Sequence, residues 1–221
     1  MSPKQNRSLR EKAYERIKEA IVSLRFEMGK SLNEKDLSSE FRLGRTPIRE
    51  ALQQLANEGL VVIVPRKGAY VSIVSFADFQ KLLDTRIMLE THCARRASTR
   101  ITGETLDGLR DLMSGMEPLI AARDIDALLS IDRQIHMAVV RGLDNEYIEQ
   151  IASQLYDRVA RLWYLSFKNL DEPELRARLL SHQVIIDALD RRDPDTAEKA
   201  VKNHIEMFVE RMYSIFSAHN I

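Results

Sequence analysis

The stretch RTPIREALQQLANEGLVVIVPRKGAYVSIV, residues 45–74, decides the fold of the N-terminal part of the chain. Its first half carries Ile48, Ala51, Leu52 and Leu55 at helical spacing, so a helix is expected from about Arg45 to Glu58. Pro47 stands in the first turn, where its missing N–H costs nothing, and Gly59 is placed to end the helix. The period then changes. Leu60-Val61-Val62-Ile63-Val64 is short and β-branched, Pro65-Arg66-Lys67-Gly68 is a turn, and Ala69-Tyr70-Val71-Ser72-Ile73-Val74 is a second strand; together they make a hairpin.

Two further helices precede this stretch. Ser8-Leu9-Arg10-Glu11 is a capping box, and Ala13, Ile17, Ala20, Ile21 and Leu24 continue a helix to about Leu24. Asn33 can cap a second helix from Glu34 to about Phe41 that has acidic residues in its first turn. Three helices followed by a hairpin is the winged helix-turn-helix arrangement. Beyond Val74 no convincing strand is found. Ser75-Phe76-Ala77-Asp78 is a second capping-box pattern, and six helices are expected over 76–100, 103–122, 124–142, 145–169, 172–191 and 194–219. The chain is therefore read as mainly α: a winged helix-turn-helix domain over residues 1–74 and an all-helical bundle of about six helices over 75–221.

Composition agrees with two domains of different character. Residues 1–74 hold 14 Lys/Arg against 9 Asp/Glu, and the remainder holds 19 against 24, although the 221-residue chain is neutral overall. The first domain is basic and the second acidic. Apolar residues make up 44% of the chain, enough for a core, yet no apolar run approaches the ~20 residues of a membrane span. The polar start MSPKQNRSLREK has no signal-peptide core, and the single cysteine, Cys93, excludes an internal disulfide; both fit a cytoplasmic protein without a membrane partner.

In a helix-turn-helix the second helix enters the major groove and its first residues meet base edges. Here those residues are Arg45, Thr46 and Arg49. The two arginines are four apart and share a face, and the Arg fork matches guanine O6 and N7 together. Lys35 is placed to reach phosphate, and Arg66, Lys67 and Gly68 at the hairpin tip are placed to enter the adjacent minor groove of double-stranded DNA. Taken singly, the same arginines fit a solvated helix face equally well; the complete context favours DNA. Leu32-Asn-Glu-Lys-Asp-Leu, Arg45-Thr-Pro-Ile-Arg-Glu-Ala-Leu, Glu58-Gly-Leu-Val and Pro65-Arg-Lys-Gly-Ala resemble the GntR family of transcription regulators over nearly all of residues 8–73. The resemblance implies that Arg45, Thr46, Arg49 and the wing contact an operator. Gly44 stands where the family usually has Ser, and Met28-Gly29-Lys30 where it often has Pro-Gly.

The helical part carries a polar constellation. Asp132 and His136 are four apart, on a face otherwise made of residues such as Leu128 and Val140. His182 and His204 each lie 11 residues from Asp193, at the turn between the last two expected helices, so an antiparallel pair brings them to one level. His182 is flanked by Ile185 and Ile186, and His204 by Val201 and Phe208, which points both inward. One Asp and three His inside a bundle can hold a divalent metal such as zinc or nickel; separately satisfied buried histidines are the alternative. His92 and His219 have no such neighbours.

Residues 76–217 resemble the FCD domain of the FadR-like branch of GntR regulators. That resemblance implies a metal held by Asp132, His136, His182 and His204, and a small carboxylate metabolite as effector completing the metal's shell. Arg86 is the expected partner of the effector's charge, with Arg158 and Arg161 behind it; surface ion pairs are the competing role of each. Gly142-Leu-Asp-Asn stands where the family often has a Gly-Asn turn. The expected function is a dimeric, effector-controlled DNA-binding transcription repressor without catalytic residues. The alternatives are a metal-dependent hydrolase with an accessory winged helix, and an architectural DNA-binding protein with a structural metal.

Overall fold

The computed structural model describes residues 8–209, Met212 and Phe216; the chain start, His219 and the end of the last expected helix lie outside those residues. The chain forms two compact units that divide after Val74.

The first unit contains α1 (Leu9–Val22), β1 (Ser31–Leu32), α2 (Glu34–Phe41), α3 (Arg45–Asn57), β2 (Val61–Val64) and β3 (Gly68–Val71). Both halves of the Ser8 capping box are formed: Glu11 N–H donates to the Ser8 hydroxyl, and Ser8 N–H donates to the Glu11 carboxylate. Asn33 caps α2 by accepting from Lys35 N–H and Asp36 N–H. Gly59, with φ at +75°, takes the left-handed turn after α3 that a side chain would resist. α1 packs on α3, and Ile17 and Ile21 of the one and Ile48 and Leu55 of the other are all fully buried. Each contributes about 1.5–3 kcal/mol. β2 and β3 pair antiparallel from Val61↔Val71 to Val64↔Gly68. β1 then adds to the far edge of β3, giving the order β1-β3-β2. The sequence does not show this third strand because two residues carry no period.

The second unit contains α4 (Phe76–Ala97), α5 (Gly103–Ser114), α6 (Met116–Ala122), α7 (Ile125–Arg141), α8 (Glu146–Asn169), α9 (Glu172–Leu180), α10 (His182–Asp190) and α11 (Pro194–Glu206). Among the described residues the six expected helices become eight, because two of them are divided. Pro118 has no N–H for the Ser114 carbonyl four residues back, and the chain breaks at Gly115. The second break, at Ser181, has no Gly or Pro to announce it. There the Ser181 hydroxyl donates to the Arg178 carbonyl, and the His182 ring bonds the Leu179 carbonyl, so side chains take acceptors that a continuous helix would use. The cap of α4 also differs in detail. Ser75 accepts from Asp78 N–H, but its hydroxyl turns onto the Asp78 carboxylate instead of that carboxylate reaching back to the backbone. α4 packs along α11, α7 and α8, and α10 packs on α11. No described helix is long and apolar enough to cross a membrane.

Candidate metal centre and nucleic-acid interface

α7 presents Asp132 and His136 one turn apart, α10 begins at His182, and α11 brings His204. All four side chains are buried, and one donor atom from each lies within 4.8 Å of the others. The rings of His182 and His204 are 4.1 Å apart between centroids, with His136 at 5.4 and 5.1 Å from them. The sequence put Asp132 and His136 on one helix face and His182 and His204 at one level; the structure has all four together.

The hydrogen bonds show which nitrogen of each ring faces the cluster. His182 Nδ1 lies 2.8 Å from the Leu179 carbonyl, which can only accept, so the proton is on Nδ1. His204 Nδ1 lies 2.8 Å from Ser181 Oγ, whose own hydrogen is given to Arg178 O; Nδ1 again donates. His136 Nδ1 lies 2.6 Å from Glu90 Oε2. With Nδ1 of each ring so engaged, Nε2 is the nitrogen left to face the cluster. His182 Nε2 stands 3.0 Å from Asp132 Oδ1, yet makes no aligned hydrogen bond to it or to any described partner. A lone pair facing a carboxylate inside a core is repulsive, and a divalent cation between them relieves it. The donor set, with each ring oriented by a second bond, fits a divalent metal ion.

The electrostatics fit the same use. Burial raises the Asp132 carboxyl, but the closeness of His182, and then of His136 and His204, outweighs it and holds the carboxyl well below its ordinary range. Burial, and then His182 and His136, hold His204 well below an ordinary imidazole, so it stays neutral. Tyr156 of α8 donates to the second Asp132 oxygen. Glu90, Tyr156 and Ser181 are the residues that sequence reading missed. The signal for Glu90 was present: Arg86 and Glu90 lie four apart on the apolar face of α4 with Leu82, Leu83, Cys93 and Ala94.

Arg86 is 2% exposed; its Nε donates to Glu90 Oε1 at 2.5 Å, and its guanidinium lies over Tyr156 at 5.3 Å. Its Nη2 has no partner among the described residues. Arg86 is thus beside the cluster with one donor unspent. Arg158 and Arg161 lie further along α8, past Tyr156. Arg161 is buried, and burial together with Arg158 brings its pKa down to about 10. His92 is exposed on α4.

In the first unit, Arg45, Thr46 and Arg49 project from the start of α3 into solvent, opposite the buried Ile48, Ala51, Leu52 and Leu55. Gly44 caps this helix without a side-chain bond. Lys35, Arg66, Lys67 and Gly68 are exposed, and Gly68 has φ at +112° where β3 begins. A cavity of about 510 Å³ opens between α2, α3 and the hairpin, lined by Lys35, Arg45, Arg49, Lys67 and Gly68 among others. Arg49 is not a lone cation: its Nε and Nη2 hold both Glu34 oxygens at 2.9 and 2.8 Å. This pairing depends on how α2 meets α3, which spacing along the chain does not reveal.

A winged helix-turn-helix with a basic reading helix, joined to a helical unit with a buried metal-type cluster, defines a class of DNA-binding transcription regulators. Comparison with known proteins makes the class specific. Residues 9–71 match the gntR family of bacterial regulatory proteins, and residues 81–207 match the FCD domain. The HTH-type transcriptional repressor RspR of Escherichia coli (strain K12) is 30% identical over 202 residues, covering 91% of this chain and 88% of that protein. The gluconate operon transcriptional repressor of Bacillus subtilis (strain 168) is 30% identical over 184 residues, covering 82% and 75%. Among solved structures, E. coli McbR/YncC superposes with a TM-score of 0.86 at 18% identity, covering 95% of this chain and 99% of that one. A putative GntR regulator from Rhodococcus sp. RHA1 gives 0.77 at 18% identity, covering 93% and 97%. The chain belongs to the GntR family of transcription regulators, with an FCD domain. The family and the relatives are those of a DNA-binding transcription regulator and not of an enzyme, and they give the hydrolase alternative no support.

Proposed function

We propose that the protein is a repressor that binds operator DNA as a homodimer and is controlled by a small organic acid bound at a divalent metal, zinc or nickel. Residues 1–74 are the DNA-binding domain, in which Arg45, Thr46 and Arg49 read bases, Lys35 holds phosphate, and Arg66, Lys67 and Gly68 enter the minor groove. Residues 75–221 sense the effector and carry the dimer contact in the cytoplasm. Repression is supported by what the similar proteins of E. coli and B. subtilis are called. A two-fold protein matches a two-fold operator, which supports the dimer.

The observation that carries the sensing role is that all three histidines of the cluster have Nδ1 engaged elsewhere, leaving Nε2 for an ion beside Asp132. These four residues leave coordination positions open on an octahedral metal. An acid that fills them meets the unspent Nη2 of Arg86, while Arg158 and Arg161 are the weaker candidates for its charge. Zinc and nickel titrations of the metal-free protein, followed by thermal melting with a panel of small organic acids, test this. The expected result is one metal per chain, loss of uptake in the His182→Ala/His204→Ala variant, and stabilisation by an acid only when metal is bound. No uptake by the wild-type chain, or acid binding indifferent to chelation, overturns the proposal.

A further inference from the structure

The metal ligands do not stand alone: an ion pair behind them carries a net charge balance that the ligands feel. Glu90 is 4% exposed and divides its two oxygens between partners, Oε1 to Arg86 Nε at 2.5 Å and Oε2 to His136 Nδ1 at 2.6 Å. Arg86 also lies over the ring of Tyr156, whose hydroxyl donates to Asp132. One buried cation is therefore connected to two of the four metal ligands, by way of Glu90 to His136 and by way of Tyr156 to Asp132. Arg133 faces the same ring at 5.2 Å, but it is held by Asp157 and Ser153, which keeps it out of the Glu90 branch.

Resting on the metal reading above, we infer that the Arg86–Glu90 pair sets the metal affinity of the site, with its two members acting in opposite directions. A carboxylate accepting from Nδ1 pushes electron density toward Nε2 and makes the imidazole a stronger ligand. A guanidinium bound to the same carboxylate withdraws that density and adds a positive charge near the ion. In a buried site neither effect is screened by water. Glu90 is thus a positioning and polarising residue for His136, and Arg86 is its brake.

The opposite signs separate this role from simple structural support, because damage to packing weakens binding whichever partner is changed. The test is competition for Zn²⁺ against a chelator of known affinity, with metal alone as the probe and melting curves confirming that each variant folds. Glu90→Gln keeps the size and an acceptor for His136 but removes the charge; its zinc affinity is expected to fall about 10- to 100-fold. Arg86→Gln keeps a donor for Glu90 but removes the cation; its zinc affinity is expected to rise. Arg86→Lys retains the charge and is expected to stay near wild type. Affinity unchanged in Glu90→Gln, or lowered alike in Glu90→Gln and Arg86→Gln, overturns the inference. If Arg86→Gln does not fold, Arg86→Met, which keeps the apolar stem and removes the cation, supplies the second sign: its zinc affinity is expected to rise, and a fall matching that of Glu90→Gln overturns the inference. Failure of the wild-type chain to take up zinc is a different result and removes the metal reading itself.

Discussion

At the scale of single residues, the two functional regions work by opposite electrostatic means. The arginines at the start of α3 are exposed, whereas the cluster in the helical unit is buried. His204 illustrates the second case. Burial, followed by the influence of His182 and His136, places its pKa well below the ordinary 6.5. The unfolded chain takes up a proton near 6.5 that the folded chain refuses, so acid favours unfolding. The melting temperature of the metal-free protein should therefore fall as the pH drops below 6.5; a flat profile from pH 7 to 5 would count against a neutral buried His204. Arg49 illustrates the first case. If it holds a base, Arg49→Ala costs ~1–3 kcal/mol on the operator and less on scrambled duplex at the same salt. An equal loss on both DNAs would assign it to phosphate.

At the scale of elements, the parts legible in the sequence were those with a period. The capping box of α1, the caps and bounds of α2, the apolar face of α3 and the hairpin follow from residue pattern alone. So do the two pairs Asp132/His136 and His182/His204, from helical spacing and from equal distance to a turn; their joining into one cluster was what the family resemblance implied. What escaped was set by tertiary contact: the two-residue β1, the Glu34–Arg49 pair, and the break before His182. That break is informative, since the bonds that interrupt the helix also orient His182 and His204. Helix packing also constrains Gly142 at the end of α7, where a Cβ would stand 2.8 Å from Ala97 Cβ and 3.2 Å from the Val139 carbonyl. Gly142→Ala should destabilise the helical unit by about 1–3 kcal/mol in denaturant unfolding. A variant as stable as wild type would show that α4 and α7 yield without cost.

At the scale of the molecule, the division after Val74 separates the DNA-binding surface from the metal-type cluster, whose four residues and supporting shell all fall in the second unit. Metal removal should therefore lower the melting of the helical unit and leave that of the winged unit in place, since an ion that binds only the folded state stabilises what it binds. Calorimetry with and without a chelator distinguishes this from a single shared transition. A regulator needs more than two stable units: the effector must bind the operator-competent and operator-incompetent arrangements with unequal affinity. The most direct measurement is a binding titration of the metal-loaded protein on duplex from its own promoter region, at fixed salt, with and without a panel of small organic acids. The account predicts preference over scrambled duplex and a shift in operator affinity by an acid that is lost in His182→Ala/His204→Ala. Operator affinity indifferent to every acid that binds the metal-loaded protein would contradict it.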